Sequence, residues 1–368
     1  MNTVMSIFRP RVLNIDYQPG KYVKEFDGWR GVGICFVVLA HYFPVYFIGS
    51  WVFMEMFFVM SGFLITGILL DSKSKKNYFK VFYLRRILRV FPLYYLALII
   101  LLFLIPRSWI DLSYYRQHQL WFWTYMENWL FALDGYPAVK ALRHFWSLAI
   151  EEQFYLVWPF VVFLFTPKRL TGFCIFLFFF SIAFRNLGMH IGFVMPFPYV
   201  ATLGRMEGIV LGAIIAVLVR TDKWILERYT LPVTIIFGAL SIATFFVAGT
   251  MHMEFPLHYA INYTFVDLFF AGMITLTLCS QELIHFKKIL NHPVFKELGM
   301  LSYCLYIFHH PIQILVSTNY YPYFLHRTGS ENMGKLICVG IAFLITIPVV
   351  YVIHKYVEVP LWKVKRKV

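Results

Sequence analysis

The stretch RGVGICFVVLAHYF, residues 30–43, is almost wholly apolar, but it contains two groups that hydrocarbon disfavours, Arg30 and His41. At 100° per residue, their separation of eleven positions leaves them about 20° apart around a helix axis. The rise between them is roughly 16 Å, so an arginine at headgroup level would place the imidazole near the middle of a ~30 Å hydrocarbon layer. The stretch therefore predicts a membrane-spanning helix with a functional histidine, and the alternative is a histidine that only packs.

The composition supports a membrane protein. Of the 368 residues, 60% are hydrophobic and only 14% are charged, which is more apolar surface than one globular core could bury. The formal net charge of +14 could suggest a nucleic-acid partner. In a membrane protein, however, basic residues usually mark cytoplasmic loops, so no nucleic-acid partner is expected.

Long apolar stretches predict an all-α integral membrane protein, a bundle of about ten transmembrane helices. With the N-terminus placed inside, 25 of the 33 Lys and Arg residues fall in cytoplasmic segments. This asymmetry predicts that both termini are cytoplasmic. The predicted spans are residues 31–49, 51–70, 90–106, 145–165, 173–188, 200–219, 231–249, 262–280, 299–319 and 334–354.

The chain is expected to hold one transmembrane domain, residues 25–361. Residues 1–24 are too polar for a cleaved signal peptide and are expected to be a cytoplasmic or interfacial segment, and residues 362–368 a basic cytoplasmic tail. All five cysteines fall in predicted spans, where a free cysteine behaves as a small hydrophobe, so they indicate no disulfide framework.

Ionisable and polar groups in or beside the spans are candidate functional residues, because each is costly in a membrane unless it faces a cavity or a partner. Ser147, Glu151 and Tyr155 are successive i,i+4 neighbours, whereas Glu152 lies on another helical face. Pro311 should kink the helix beside His309. The candidates are Arg30, His41, Glu55, Ser61, Arg86, Arg89, Glu151, Glu152, Arg205 and His309.

Each candidate also has a structural interpretation. Glu151 and Glu152 could serve only to neutralise Arg30 or Arg205 inside the bundle. Ser61, with the following glycine, fits close helix packing better than a nucleophile. Arg86 and Arg89 could simply mark a cytoplasmic loop.

Several motifs occur in an order that resembles one family. FDGWRG, VVLAH, FFVMSGFLI, RRILRVFP, WSLAIEEQFYLVWP, LSYCLYIFHHP and VEVP run from about residue 25 to 361. They resemble the acyltransferase-three family of bacterial multi-pass membrane acyltransferases. The family's signature of an arginine, ten residues and a histidine falls on Arg30 and His41, and its paired-arginine motif falls on Arg86 and Arg89. Trp29, Glu55 and Met60 depart from the usual residues.

The resemblance implies an enzyme of the bacterial inner membrane that moves an acetyl or other short acyl group from acyl-coenzyme A to a hydroxyl. The acceptor would be a cell-envelope glycan, such as lipopolysaccharide or another polysaccharide, or a lipid-linked sugar. Acyl-coenzyme A would be a co-substrate, with no permanently bound cofactor and no metal. Motif residues Asp27, Trp146, Tyr303 and Glu358 are expected to support the site.

The physical properties of these residues suit the implied roles. Guanidinium groups bind phosphate in a bidentate geometry, so Arg30, Arg86 and Arg89 are expected to hold the coenzyme A phosphates. His41 is expected to act as a general base or as an acyl carrier, with Glu151 holding the ring in the right tautomer. The sequence does not choose between direct transfer and a covalent intermediate, and it leaves the oligomeric state open.

The rival function is a proton-coupled secondary transporter in which His41, Glu55, Glu151 and Arg205 form a relay and substrate site. Transporters are often built from two related halves. Here the paired arginines and the EEQ motif occur once, without a downstream counterpart. This weighs against the transporter.

Overall fold

The computed structural model describes residues 13–279 and 283–367, with side chains up to residue 364. Within them the fold is all-helical, and the single β-type contact is a bridge between Ile15 and Cys279. The expected segment 1–24 is therefore described only from residue 13, and Val368 of the expected tail lies outside the described residues.

Sixteen α-helices are formed by the described residues, and the longer ones pack into one bundle. They are α1 (Glu25–Tyr42), α2 (Val52–Ser72), α3 (Tyr78–Ile99), α4 (Ser113–Gln117), α5 (Gln119–Trp123), α6 (Glu127–Asp134), α7 (Trp146–Leu164), α8 (Pro167–His190), α9 (Phe197–Val200), α10 (Glu207–Thr221), α11 (Lys223–Ala248), α12 (Tyr263–Thr277), α13 (Ile284–Leu290), α14 (Pro293–Thr328), α15 (Glu331–Ile353) and α16 (Val359–Lys367).

Seven helical segments in the described part of the chain are long and apolar enough to cross a membrane, fewer than the ten predicted spans. The other three predicted spans lie on α1, α10 and α14. α1 carries Glu25, Asp27 and Arg30 within 18 residues, and α10 is only 15 residues long. α14 is 36 residues long and mixes apolar with polar stretches. The seven segments are Ile48–Ser72, Tyr78–Leu104, Arg143–Leu164, Pro167–His190, Lys223–Ala248, His258–Thr277 and Glu331–Val364.

Helix α1 starts and ends earlier than the predicted span 31–49. It ends at Tyr42 because Pro44 follows: the residue before a proline is disfavoured in helical geometry, and Phe43 adopts φ −130° and ψ 62°. His41 therefore lies in the last turn of α1 rather than in the middle of a longer helix. Arg30 and His41 consequently lie towards opposite ends of the same helix.

Glycines allow the closest helix contacts around the site. A Cβ on Gly31 of α1 would collide with the backbone carbonyl of Phe295, and one on Gly299 of α14 would collide with that of Asp27. The same holds for Gly62 of α2 against the backbone of Ile209 in α10. The backbones of α1 and α14 therefore touch, as small residues allow in membrane proteins. This contact brings the histidine of α1 next to those of α14.

The N-terminal segment packs into the bundle rather than only lying along its surface. Leu13 and Ile15 are buried, and the amide of Ile15 donates to Glu227 Oε1 at 3.1 Å. Lys223 Nζ donates to the carbonyls of Ile15 and Tyr17 at 3.2 and 2.9 Å. Residues 13–24 are thus attached to the start of α11.

Reporter fusions test the number of crossings and the orientation. A reporter after residue 75 should read as cytoplasmic because the surrounding segment is rich in lysine, and one near residue 112 should read as extracytoplasmic. A C-terminal fusion then separates the two counts: ten crossings return the C-terminus to the side of the N-terminus, whereas seven leave it on the other side. A cytoplasmic signal from residue 112 would contradict the predicted orientation.

Candidate active site

A cavity of about 350 Å³, the arginine cavity, lies between α1, α2, α3, α7 and α14. The motif arginines of α1 and α3 converge on it, together with the two glutamates of α7. The N-terminal segment adds Tyr17, Lys21 and Tyr22 to its wall. Eight of the residues predicted from the sequence line this cavity: Asp27, Arg30, Ser61, Arg86, Arg89, Glu151, Glu152 and Tyr303.

Hydrogen bonds join the polar wall of the arginine cavity. The Tyr155 hydroxyl donates to Glu151 Oε2 at 2.8 Å and is hydrogen-bonded to Ser61. The Arg86 guanidinium lies over the Tyr155 ring, 4.7 Å from its centroid. The predicted i,i+4 relation of Glu151 and Tyr155 is therefore a direct contact. The Tyr303 hydroxyl donates to the carbonyl of Val90 at 2.7 Å.

Glu152, which the sequence places on a different helical face from Glu151, also lines the arginine cavity. Two carboxylates of α7 and two arginines of α3 thus share one cavity.

The positive charge of this cavity is only partly neutralised by the protein. Arg30 pairs with Asp27 at 3.3 Å, and this aspartate also accepts from the Tyr22 hydroxyl. Arg86 and Arg89 form no ion pair within 4.0 Å among the described residues. Two guanidinium groups are therefore available to an anionic ligand.

A second cavity of about 450 Å³, the histidine cavity, lies beyond the C-terminal end of α1. His41, His144 and His310 line it, together with aromatic side chains that include Trp146 and Tyr136. His310 stacks on His41 with ring centroids 4.1 Å apart. Imidazoles from α1, from α14 and from the segment before α7 thus gather at one place.

His41 is held by His309, and the hydrogen bonds define its tautomer. His309 Nδ1 lies 2.7 Å from the carbonyl of Leu305, which can only accept, so this nitrogen carries a proton. In neutral His309, Nε2 is then an acceptor, and it lies 2.8 Å from His41 Nδ1. His41 Nδ1 must therefore donate, which leaves the lone pair of His41 on Nε2. This nitrogen is the one free to accept a proton.

The partner of His41 differs from the one the sequence suggested. Glu151 bonds to Tyr155 in the arginine cavity, whereas His41, in the wall of the histidine cavity, bonds to the fully buried His309, which lines neither cavity. The carboxylate lies on α7, and the contact between α1 and α14 brings an imidazole to His41 instead. The hydrogen bond to His309, rather than to Glu151, therefore orients the imidazole ring of His41.

The two cavities have Met54 and Tyr306 in both of their walls. The Tyr306 hydroxyl donates to the carbonyl of His144 at 2.6 Å and lies 2.6 Å from Ser147 Oγ. The arginine cavity and the histidine cavity are therefore adjacent, with Met54 and Tyr306 bordering both.

Glu55 and Arg205 lie apart from both cavities as a buried ion pair, each about 1% exposed at the side chain. The Arg205 guanidinium also lies 4.4 Å from the centroid of the Tyr263 ring. Arg185 is likewise buried and pairs with Glu207. Glu358 pairs with His354 at 2.7 Å and belongs to neither cavity.

Sequence reasoning missed His144, Tyr306 and Lys140 as cavity residues. His144 lies two residues before WSLAIEEQ, and Tyr306 lies within LSYCLYIFHHP, so motif position was an available signal. Lys140 lies in an irregular segment with no motif around it, and only the tertiary structure reveals its position.

The described helices define an all-helical, multi-pass type of membrane protein, and comparison with known proteins identifies its family. The family model described as an acyltransferase domain matches residues 23–355, so the chain belongs to this acyltransferase family. No solved structure matches the chain significantly.

Two curated relatives are O-acetyltransferases. The peptidoglycan O-acetyltransferase OatA of Listeria monocytogenes is 28% identical over 81% of this chain and 50% of its own length. The O-acetyltransferase OatA of Staphylococcus aureus is 27% identical over 83% of this chain and 52% of its own length. The chain therefore spans about half the length of these relatives.

Proposed function

We propose that this protein transfers an acetyl or other short acyl group from acyl-coenzyme A to a hydroxyl of a cell-envelope glycan. The observation that carries the proposal is the arrangement of three arginines in one cavity and His41 in the adjacent one, with Met54 and Tyr306 bordering both. Coenzyme A has phosphates at one end and a thioester at the end of a thin pantetheine arm, which suits this arrangement. The peptidoglycan activity named for the Listeria relative supports a glycan acceptor.

In the proposed reaction, Arg30, Arg86 and Arg89 bind the phosphates of the donor from the cytoplasmic face of the inner membrane. His41 Nε2 takes the proton of the acceptor hydroxyl as its oxygen attacks the thioester carbon. The tetrahedral intermediate collapses, the carbon–sulfur bond breaks, and the imidazolium returns the proton to the departing thiolate. The products are the glycan ester and coenzyme A, and His41 is neutral again.

The direct test is release of free thiol by the purified protein with acetyl-coenzyme A and an envelope glycan fraction. Equal amounts of free thiol and ester-linked acetate are expected. Uptake of a solute without thiol release would favour the transporter instead.

Arg86→Ala and Arg89→Ala should each weaken donor binding by roughly 1.5–3 kcal/mol, the range for hydrogen bonds to charged groups. Arg85 is the matched control, because it lies on the same helix but is exposed and outside the cavity. Isothermal titration calorimetry with coenzyme A measures the donor affinity of the Arg86→Ala, Arg89→Ala and Arg85→Ala variants. Equal losses in all three variants would indicate a general charge effect rather than a binding site.

A further inference from the structure

The histidine cavity contains polar atoms that suit a polar ligand. In the proposed function the donor phosphates bind in the arginine cavity, so this ligand is a different group. His310 is 5% exposed, and its Nδ1 is buried without a hydrogen-bond partner among the described residues. Within the described part of the chain, neither ring nitrogen of His144 has a hydrogen bond of normal geometry, although the ring lies beside the backbone of Tyr306 and Ile307. Buried polar atoms are costly when unpaired, so these nitrogens indicate a ligand with hydroxyl groups.

Aromatic side chains form much of the wall of this cavity. Trp51, Tyr136, Trp146 and Tyr199 all line it, and Trp146 and Tyr199 contact each other with ring centroids 4.5 Å apart. Flat apolar faces beside hydrogen-bonding groups suit a sugar ring, which has apolar C–H faces and a rim of hydroxyls.

The charges around the cavity favour an anion. Lys140 and Arg143 line it, and Glu254 is the single acidic side chain in its wall. Arg143 is engaged with backbone carbonyls, donating to Pro137 at 2.8 Å and to Ala138 at 3.2 Å. Lys140 is exposed, and its ammonium makes no hydrogen bond or ion pair with any described residue, although its carbonyl accepts from the Arg143 amide at 3.1 Å. Its ammonium is therefore free to bind a ligand.

We infer that the histidine cavity binds an anionic saccharide as acceptor, with Lys140 holding a carboxylate or phosphate of the sugar. His310 and His144 hydrogen-bond to its hydroxyls and place one of them beside His41. This inference rests on the proposed function, because it names the class of acceptor for that reaction. Lys140 is a specificity-determining residue in this arrangement.

Binding of small sugar probes tests the inference without requiring turnover. The probes are methyl β-D-glucuronide, glucose 6-phosphate and, as a neutral analogue, methyl 6-O-methyl-β-D-glucopyranoside. Quenching of tryptophan fluorescence reports binding because Trp51 and Trp146 line the cavity. We expect the purified protein to bind at least one anionic probe about tenfold more tightly than the neutral probe. The better of the two anionic probes distinguishes a carboxylate from a phosphate.

Lys140→Gln should remove this preference, with little change in affinity for the neutral probe. The matched control is Lys335→Gln, an exposed lysine outside the cavity that pairs with Glu331 at 3.0 Å. The control should keep the preference. Equal affinity for all three probes, or an equal loss in both variants, would overturn the inference.

The same probes, tested with acetyl-coenzyme A, separate this inference from the proposed function. Binding of an anionic probe without thiol release or acetylated sugar would count against acyl transfer but leave the anion site standing. Acetylation of neutral and anionic probes with equal KM would support the enzyme and refute the anion site.

Discussion

His41→Ala should lower acyl transfer by about 10²–10⁴-fold while the purified protein still binds coenzyme A. This range is the usual contribution of a general base. Donor binding should survive because Arg30, Arg86 and Arg89 line the arginine cavity, whereas His41 lines the histidine cavity. A fall in turnover without a fall in donor affinity would show that the imidazole acts in the transition state. Thiol release and coenzyme A titration on the same preparation measure both quantities.

The hydrogen bond that His41 donates to His309 provides a matched pair of variants. His309→Ala removes the acceptor of the His41 Nδ1–H bond, so we expect a smaller loss of turnover than in His41→Ala. His309→Gln can supply an amide oxygen as acceptor and should recover part of that loss. If His309→Gln and His309→Ala are equally impaired, His309 serves packing rather than orientation. A fully active His41→Ala would refute its role as base or acyl carrier.

Glu55→Ala should destabilise the folded protein by about 3–5 kcal/mol, the usual cost of removing one partner from a buried ion pair. The variant leaves the Arg205 guanidinium buried at about 1% exposure without its carboxylate. The aromatic rings around Arg205 offer weaker compensation. Unfolding by denaturant in detergent, followed by intrinsic fluorescence, measures the change.

Two further variants distinguish two causes of the stability loss in Glu55→Ala, namely the unpaired buried charge of Arg205 and the lost packing contacts of Glu55. Replacing Glu55 and Arg205 together with Leu and Met removes both charges, so the double variant should be more stable than Glu55→Ala. Glu331→Ala removes one partner of a pair exposed by 60–70% and should change stability little. If the double variant is less stable than Glu55→Ala, the cost arises from packing rather than from the unpaired charge.

The composition and the motifs of this chain predicted the membrane-embedded helical class and the acyltransferase family, and the structure and the comparisons confirm both. These properties depend on local sequence. An apolar run long enough to span hydrocarbon must be helical to satisfy its own backbone, whatever surrounds it. The placement of Arg30, Arg86 and Arg89 in one cavity was also predicted from motif residues. Their role in donor binding stays a prediction.

Other expectations were not confirmed, because they concern properties that depend on contacts between helices. Glu151 was expected to hold His41, but it bonds to Tyr155, and His41 bonds to His309. The ten-span count was not confirmed, because α1 carries three charged residues and α10 is short. A pattern of hydropathy cannot tell a helix that crosses the membrane from one that is shielded by its neighbours.

The sequence by itself determined that His41 shares a helix with Arg30, because eleven residues fix their separation along the axis and around it. The tertiary structure alone decided which group holds His41. His309 is 268 positions away in the chain, and it reaches the ring because glycines let α1 and α14 touch. Lys140, in an irregular segment, reaches the same cavity through packing of the whole bundle. Spacing along one helix is set by backbone geometry, whereas contacts between helices depend on how all the side chains fit together.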